Sequence, residues 1–143
     1  MKLLSFAVPC FNSAAYMEKC VYSLLKGWED VEIIIVNDGS TDETAVSEHP
    51  SIVKAVHKEN GGHGSAVNAG IDQASAHYCK VVDSDDWVKE EPYMQILDTL
   101  RNLTGGEKAL DMLISNFVYE KVGERRHKVM RYKHALPAGE LFS

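Results

Sequence analysis

Apolar and polar residues come in blocks along this chain, and the spacing within each block predicts its structure. Residues 3–8 form a short, nearly continuous apolar run, which is typical of a strand buried on both faces of a parallel sheet. Over residues 16–25 apolar side chains recur at helical spacing until Gly27 interrupts them. Residues 31–36 are mostly β-branched. The first quarter of the chain therefore predicts a strand, a helix with one buried face, and a second strand.

The same alternation continues through residue 106. It predicts a short helix over 43–49, strands over 52–56 and 78–82, a helix over 66–74, and a helix that begins at Pro92 and ends before Gly105. Residues 111–120 and 126–132 predict a hairpin around Gly123. Repeated strand-helix alternation predicts an α/β fold, with a mainly parallel sheet covered by helices on both faces. We expect one domain over 1–143, with an α/β core at 3–104 and the hairpin at 111–134.

Composition narrows the function classes. A hydrophobic fraction of 45% and a charged fraction of 25% are typical of a soluble globular protein. The net charge of −6 argues against nucleic acid as a partner, because polyanion binding needs a basic surface. No stretch approaches the ~18 apolar residues of a membrane span. Cys10, Cys20 and Cys79 lack metal-like spacing, so we expect buried, reduced thiols in a cytoplasmic protein, free or at the cytoplasmic membrane face.

An acidic segment follows the predicted strand at 78–82. Asp83 and Asp85 are separated by one residue, and two such carboxylates can converge on one hard cation, Mg²⁺ or Mn²⁺, whose other ligands are water and phosphate. The alternative is that Asp83, Asp85 and Asp86 are solvated turn residues. Trp87 beside them could stack on a ligand, although an aromatic residue in this position more often anchors the core.

Two further polar turns follow predicted strands. Asp38 opens the turn at 38–42 and could accept a hydrogen bond from a base or ribose at the sheet edge, or the turn could be an ordinary helix cap. The loop at 60–64 contains three glycines and could bring backbone N–H groups to a phosphate. It lacks the Gly-Lys-Ser/Thr ending of a P-loop. His63 in this loop could reach a phosphate or be simply solvated.

Taken in order, these segments resemble family 2 glycosyltransferases. The resemblance is carried by Val-Pro-Cys-Phe-Asn at 8–12, Asn-Asp-Gly-Ser-Thr-Asp at 37–42, the Asn-Gly-Gly to Asn-Ala-Gly segment at 60–70, and Val-Asp-Ser-Asp-Asp-Trp at 82–87. It implies a GT-A fold and an inverting transfer, of hexosyltransferase type, from a nucleotide-diphosphate sugar that is often UDP-linked. It also implies an acceptor among glycans, lipids and proteins, and a role in cell-envelope polysaccharide synthesis.

The resemblance also implies residue roles. Pro9 and Phe11 would flank the base, Asp38 would bond to it, Asp83 would lie near the ribose, and Asp85, with Asp83, would hold the metal. Asn12 and Gly61 belong to the matched motifs and are expected at the donor nucleotide.

The sequence departs from the family pattern in three places. Asn37 stands where many members have Asp, and the segment between the second and third strands is short. No segment matches the context of the family's general base, since Glu120, Glu124 and Glu140 stand outside it, so we expect the base beyond residue 143. The alternative function is a non-catalytic nucleotide-sugar or protein-binding module of the same fold. The basic stretch around Arg126 is expected to be a solvated strand face rather than a lipid or phosphate contact.

Overall fold

A computed structural model describes residues 1–37, 48–106 and 110–139. The chain forms two compact units, 1–109 and 110–143, and each is described by itself. The predicted helix at 43–49 falls almost wholly outside the described residues, as does the turn that begins at Asp38.

The first unit is built on four parallel strands. They are β1 (Leu4–Cys10), β2 (Val31–Asn37), β3 (Val53–His57) and β4 (Tyr78–Val81), arranged in the order β3-β2-β1-β4. In register, Leu4 lies opposite both Val31 and Tyr78. Every residue of the two central strands is buried, which explains why these segments are apolar without alternation. The predicted parallel sheet is confirmed.

Among the described residues, three helices cover this sheet, namely α1 (Ala14–Leu25), α2 (His63–Asp72) and α3 (Glu90–Leu103). On one face, Ala66 of α2 packs against Ile34 and Val36 of β2. On the other face, the ring of Tyr93 from α3 meets that of Phe6 from β1 edge-on, with centroids 5.7 Å apart. Because successive residues of a strand point to opposite faces, helices lie on both faces, as the sequence predicted.

The predicted start of α3 was wrong by two residues. Pro92 is the third residue of the helix rather than the first. The first turn of any helix has N–H groups without an intrahelical partner, so a proline is tolerated there. The bond from Tyr93 N–H to the carbonyl of Lys89, 3.1 Å long, is donated by the residue directly after the proline.

The expected environment of the three thiols holds for two of them. Cys10 and Cys20 are buried, and burial raises the pKa of Cys10 to about 11 and that of Cys20 to about 12. The expectation is wrong for Cys79, which is exposed. Cys79 lies on β4, which ends the four-stranded sheet and is covered on fewer sides than β1.

The amino edge of the sheet holds a buried carboxylate, Glu32, that the sequence pattern did not indicate. Glu32 of β2 is 2% exposed, and its Oε1 accepts hydrogen bonds from Ser5 Oγ at 2.5 Å and from the backbone N–H of Ser75. Its Oε2 accepts one from Lys54 Nζ at 2.9 Å. Ser5 Oγ in turn accepts a bond from Ala76 N–H at 3.0 Å. One carboxylate thus joins β1, β2, β3 and the segment that leads into β4.

These bonds determine the charge state of Glu32. Burial alone would raise the pKa of its carboxyl group, but the donors from Ser5, Lys54 and Ser75 outweigh burial and lower the pKa to about 2. Glu32 is therefore ionised at neutral pH and fully occupied by donors of the protein itself.

The second unit contains a hairpin that is shorter than predicted. Strand β5 (Phe117–Tyr119) pairs antiparallel with β6 (Lys128–Met130), so the strands expected over 111–120 and 126–132 each contain three residues. A two-stranded ribbon buries little apolar surface, which limits how far pairing extends. The aromatic rings of Phe117 and Tyr119 meet edge-on, with their centroids 5.2 Å apart.

Candidate functional site

The carboxyl end of β1 supplies the first group of predicted site residues. Pro9 is buried within the strand, and the pairing of β1 with β4 ends at Ala7, before this proline, which has no N–H to donate. Phe11 directly after the strand is 59% exposed. Asn12 follows with a φ of 48°, in the left-handed region that asparagine tolerates better than most residues. The end of β1 therefore presents an aromatic ring and an amide to solvent.

The acidic loop after β4 supplies the second group. Asp83, Asp85 and Asp86 are all exposed, and Asp83 and Asp86 are joined by a bond from Asp86 N–H to the carbonyl of Asp83, 2.9 Å long. Partial burial raises the pKa of the Asp86 carboxyl group, and the negative charges of Asp85 and Asp83 raise it further. The charges of Asp83 and Asp85 therefore lie close enough to the Asp86 carboxyl group to disfavour its ionised form. A cation bound here would relieve that repulsion.

Helix α1 holds the acidic loop at three points. Cys20 Sγ lies 3.7 Å from the carbonyl oxygen of Asp83. Ser23 Oγ accepts a hydrogen bond from Val88 N–H at 3.1 Å. The third contact is a cation–π contact, in which Lys19 Nζ lies 3.2 Å from the centre of the half-buried Trp87 ring. Trp87 therefore anchors the loop to α1, in line with the packing role that its sequence position favoured.

The glycine loop, residues 60–62 before α2, leads to the acidic loop after β4. Gly62 has a φ of 84°, which a residue with a side chain would adopt only with strain, and its N–H donates to Asn60 Oδ1 at 3.1 Å. The turn delivers His63, the first residue of α2, so that its Nε2 lies 3.6 Å from Asp83 Oδ1. The structure thus brings the loop after β3 and the loop after β4 together. Gly61, also in this loop, is exposed.

The end of β2 lies beside the end of β1. Asn37 is the last residue of β2, is buried, and lies opposite Cys10 in the register of the sheet. Its Nδ2 is 3.5 Å from His57 Nδ1 at the end of β3. Asp38, the predicted partner of the base, lies outside the described residues. Its role therefore stays a prediction.

The described residues include no group of three or more His, Cys, Asp or Glu side chains arranged to hold a metal ion. A divalent cation bound by a nucleotide diphosphate does not need such a group, because one or two carboxylates plus phosphate and water oxygens complete its coordination. Asp83 and Asp85, exposed and in a loop of mutually repelling charges, fit that requirement. No residue of the hairpin unit is assigned a catalytic role. Within it, Lys121 pairs with Glu124 at 3.6 Å and His127 with Glu120 at 4.0 Å, while Glu140 lies outside the described residues.

The order of the four segments in the sequence agrees with a comparison against protein families. The model of glycosyl transferase family 2 matches residues 5–127. The chain belongs to this family. The match covers nearly all of the first unit and about half of the second, and it confirms the resemblance inferred from the motifs.

Two relatives show the extent of the similarity. Glycosyltransferase GlyG from Streptococcus pneumoniae is 38% identical over 123 residues, which are 81% of this chain and 39% of GlyG. EpsJ from Bacillus subtilis, described as an uncharacterized glycosyltransferase, is 32% identical over 130 residues, which are 87% of this chain and 36% of EpsJ. The chain therefore spans less than two fifths of the length of these relatives.

Solved structures share the fold. Staphylococcus aureus TarS in complex with UDP superposes with a TM-score of 0.59 at 30% identity, over 73% of this chain and 33% of that chain. TarS in complex with UDP-GlcNAc gives a TM-score of 0.58 at 29% identity, over 73% of this chain and 32% of that chain. The mannosyltransferase PcManGT from Pyrobaculum calidifontis shares the fold at a TM-score of 0.55 and 22% identity, over 63% of this chain and 30% of that chain. The GT-A expectation is thus confirmed at the level of the fold.

Searched over the described residues, the structure contains no helix that is both long enough and apolar enough to cross a membrane.

Proposed function

We propose that this chain is the donor-binding part of an inverting, metal-dependent glycosyltransferase that uses a nucleotide-diphosphate sugar, with UDP as the nucleotide. The observation that carries the proposal is the meeting of exposed Phe11, the glycine loop and the acidic loop at the carboxyl edge of one parallel sheet, where ligands of open α/β sheets bind. The similarity to TarS, which has been solved with UDP and with UDP-GlcNAc, supports this choice of nucleotide.

Each predicted residue has a task in this proposal. Phe11 stacks on the base with Pro9 behind it, and Asn12 and the backbone at Gly61 contact the nucleotide. Asp38 hydrogen bonds to the base, and Asp83 faces the ribose. The pairing of Asp83 with His63 keeps that carboxylate at the edge of the site.

Asp85, with Asp83, would hold Mg²⁺ or Mn²⁺, which supplies positive charge where the departing diphosphate gains negative charge. The protein's own part is to keep two carboxylates close together without neutralising them. The raised pKa of Asp86, caused first by partial burial and then by the charges of Asp85 and Asp83, supports this view of the loop.

The acceptor class is left as a glycan, a lipid or a protein. We place the enzyme in the cytoplasm or at the cytoplasmic face of the membrane, and we assign it to the synthesis of cell-envelope polysaccharide. These statements rest on the family resemblance and are part of the proposal.

Isothermal titration calorimetry of the 143-residue chain with UDP tests the donor site. We expect UDP to bind at least tenfold more tightly with Mn²⁺ than with EDTA, because the cation screens the diphosphate from the acidic loop. In Asp85→Asn most of that gain should disappear. Equal UDP affinity with and without Mn²⁺ in the unmodified chain would remove the metal from the proposal.

Asp72→Asn is the matched control. Asp72 is an exposed carboxylate at the last position of α2, so its loss changes the net charge by the same amount as Asp85→Asn. The control should keep the full Mn²⁺-dependent gain. If it loses the gain as well, the effect reports net charge rather than a ligand role for Asp85.

A further inference from the structure

The amino edge of the sheet carries an exposed tryptophan in an unfavourable backbone conformation. Trp28 is the first residue of a short 3-10 turn, Trp28–Asp30, and this turn directly precedes β2. Trp28 is 70% exposed. Its φ of 49° lies in the left-handed region, which bulky residues rarely adopt. Trp28 is thus disfavoured at this position twice, once by the exposure of a large apolar ring and once by its backbone.

The neighbouring Gly27 does not take the left-handed position itself. After a helix the left-handed residue is most often a glycine, and Gly27 is one position away. Gly27 instead has ordinary dihedrals and is needed for space, since a Cβ there would clash with Tyr93 Oη and come 2.6 Å from a methyl group of Val31. Packing therefore accounts for Gly27 but not for the choice of tryptophan at position 28. Strained residues of this kind are concentrated at ligand sites.

Trp28 lines an open groove of about 590 Å³, between the 3-10 turn and α3. This volume is within the range of small-molecule sites. The other lining groups include Met94 and the polar side chains of Glu29, Asp30, Asp98 and Arg101. Arg101 forms ion pairs with both Asp30 and Asp98. With Lys26 and Glu29, which also line the groove, two positive and three negative groups leave a net charge of only −1. An exposed indole face beside planar carboxylate and guanidinium groups suits a ligand with a flat apolar side and many hydroxyl groups.

We propose that this groove binds a neutral oligosaccharide, with one sugar ring stacked on Trp28 and its hydroxyl groups bonded to Asp98, Asp30 and Arg101. The groove lies at the opposite end of β2 from the donor edge, and a strand of seven residues is roughly 20 Å long. The proposal is therefore independent of the donor site and concerns a second place at which the chain holds a glycan.

The test is a titration of the 143-residue chain with cellohexaose, followed through its tryptophan indole N–H resonances. The chain has two tryptophans, Trp28 in the groove and Trp87 at the acidic loop, so each serves as reference for the other. The Trp28 signal should shift in a saturable manner with a millimolar dissociation constant, as suits an open groove, and the Trp87 signal should not move. Saturating UDP with the diamagnetic Mg²⁺ should leave the Trp28 shift unchanged. A static Trp28 signal, or a shift that UDP abolishes, would overturn the proposal.

Two variants separate ligand binding from a structural role. Trp28→Gly should abolish cellohexaose binding while its melting temperature equals or exceeds that of the unmodified chain, because glycine adopts this φ without strain. Tyr16→Ala removes another exposed aromatic ring, 64% exposed on α1, and should bind cellohexaose normally. If Trp28→Gly melts well below the unmodified chain, Trp28 is retained for packing and the proposal fails. It fails also if Trp28→Gly still binds the oligosaccharide.

Discussion

Both edges of the parallel sheet hold carboxylates, but the pKa is lowered at the amino edge and raised at the carboxyl edge. At the amino edge, Glu32 is buried, accepts hydrogen bonds from Ser5, Lys54 and Ser75, and has a pKa lowered to about 2. At the carboxyl edge, Asp86 stands beside two further aspartates, and partial burial and their charges raise its pKa. A carboxylate that the protein satisfies by itself stabilises the fold. The carboxyl edge instead brings several negative charges together, which costs stability and favours the binding of a cation.

Replacing the amino-edge carboxylate should have the largest effect. In Glu32→Gln an NH₂ group would face donors such as Ser75 N–H and Lys54 Nζ, so the buried amide would face at least one donor that it cannot accept from. We expect the free energy of unfolding to fall by about 3 kcal/mol, measured by urea denaturation. Glu18→Gln on the exposed side of α1 is the control and should change stability by less than about 0.5 kcal/mol. If Glu32→Gln lowers the free energy of unfolding by as little as Glu18→Gln, Glu32 does not have this structural role.

The same carboxylate predicts a pH dependence. Its folded pKa of about 2 lies below the ordinary value of 4.5, so its contribution is complete above about pH 4.5 and is lost as the pH falls toward 2. The full contribution is about 3 kcal/mol. Other carboxylates titrate in the same range, so the quantity to measure is the difference in unfolding free energy between the unmodified chain and Glu32→Gln. That difference should shrink with falling pH, and a constant difference would show that the charge of Glu32 is not the cause.

Loosening the loop at the carboxyl edge should have a smaller effect. In Lys19→Met the stem of the side chain is kept but its charge over the Trp87 ring is lost, a contact of 3.2 Å. A cation–π contact contributes about 1 kcal/mol, so we expect the Mn²⁺-dependent gain in UDP affinity to fall roughly fivefold with little change in melting temperature. Lys19→Arg should restore the gain.

Lys26→Met is the matched charge control for this measurement. Lys26 lies just after α1 and pairs with Glu90 at 3.7 Å instead. It should keep the full gain. If both lysine variants lose it equally, the positive charge of α1 acts at long range and Trp87 is not involved.

The smallest effect should have the opposite sign. Asp86→Asn removes one of three repelling charges, so the free energy of unfolding in the absence of metal should rise, by about 0.5 kcal/mol because solvent screens exposed charges. The rise should be larger at low salt than at high salt. Urea denaturation at two ionic strengths measures it. A destabilised Asp86→Asn would show that this side chain is held by favourable contacts, and the contrast between the two edges would be lost.

The sequence by itself determined the order of the described strands and helices and the residues near the carboxyl edge of the sheet. The strands at 3–8 and 31–36 were recognisable because strands buried on both faces are apolar throughout, and the motifs after them follow from the need for polar turns at strand ends. Placing Phe11, Gly61 and Asp83 at one edge required only that the strands be parallel, because their carboxyl ends then point the same way.

Only the tertiary structure decided which of these polar groups are satisfied. Glu32 could not be distinguished from a solvated strand residue until Ser5, Lys54 and Ser75, from three other segments, were placed around it. The requirement for glycine at position 27 depends on Tyr93, 66 positions further along the chain, which leaves no space there for a side chain. The hairpin was predicted too long because strand pairing depends on neighbouring surface that local spacing does not report. Contacts between distant segments set pKa values, strain and pairing, and a pattern read along the chain contains none of them.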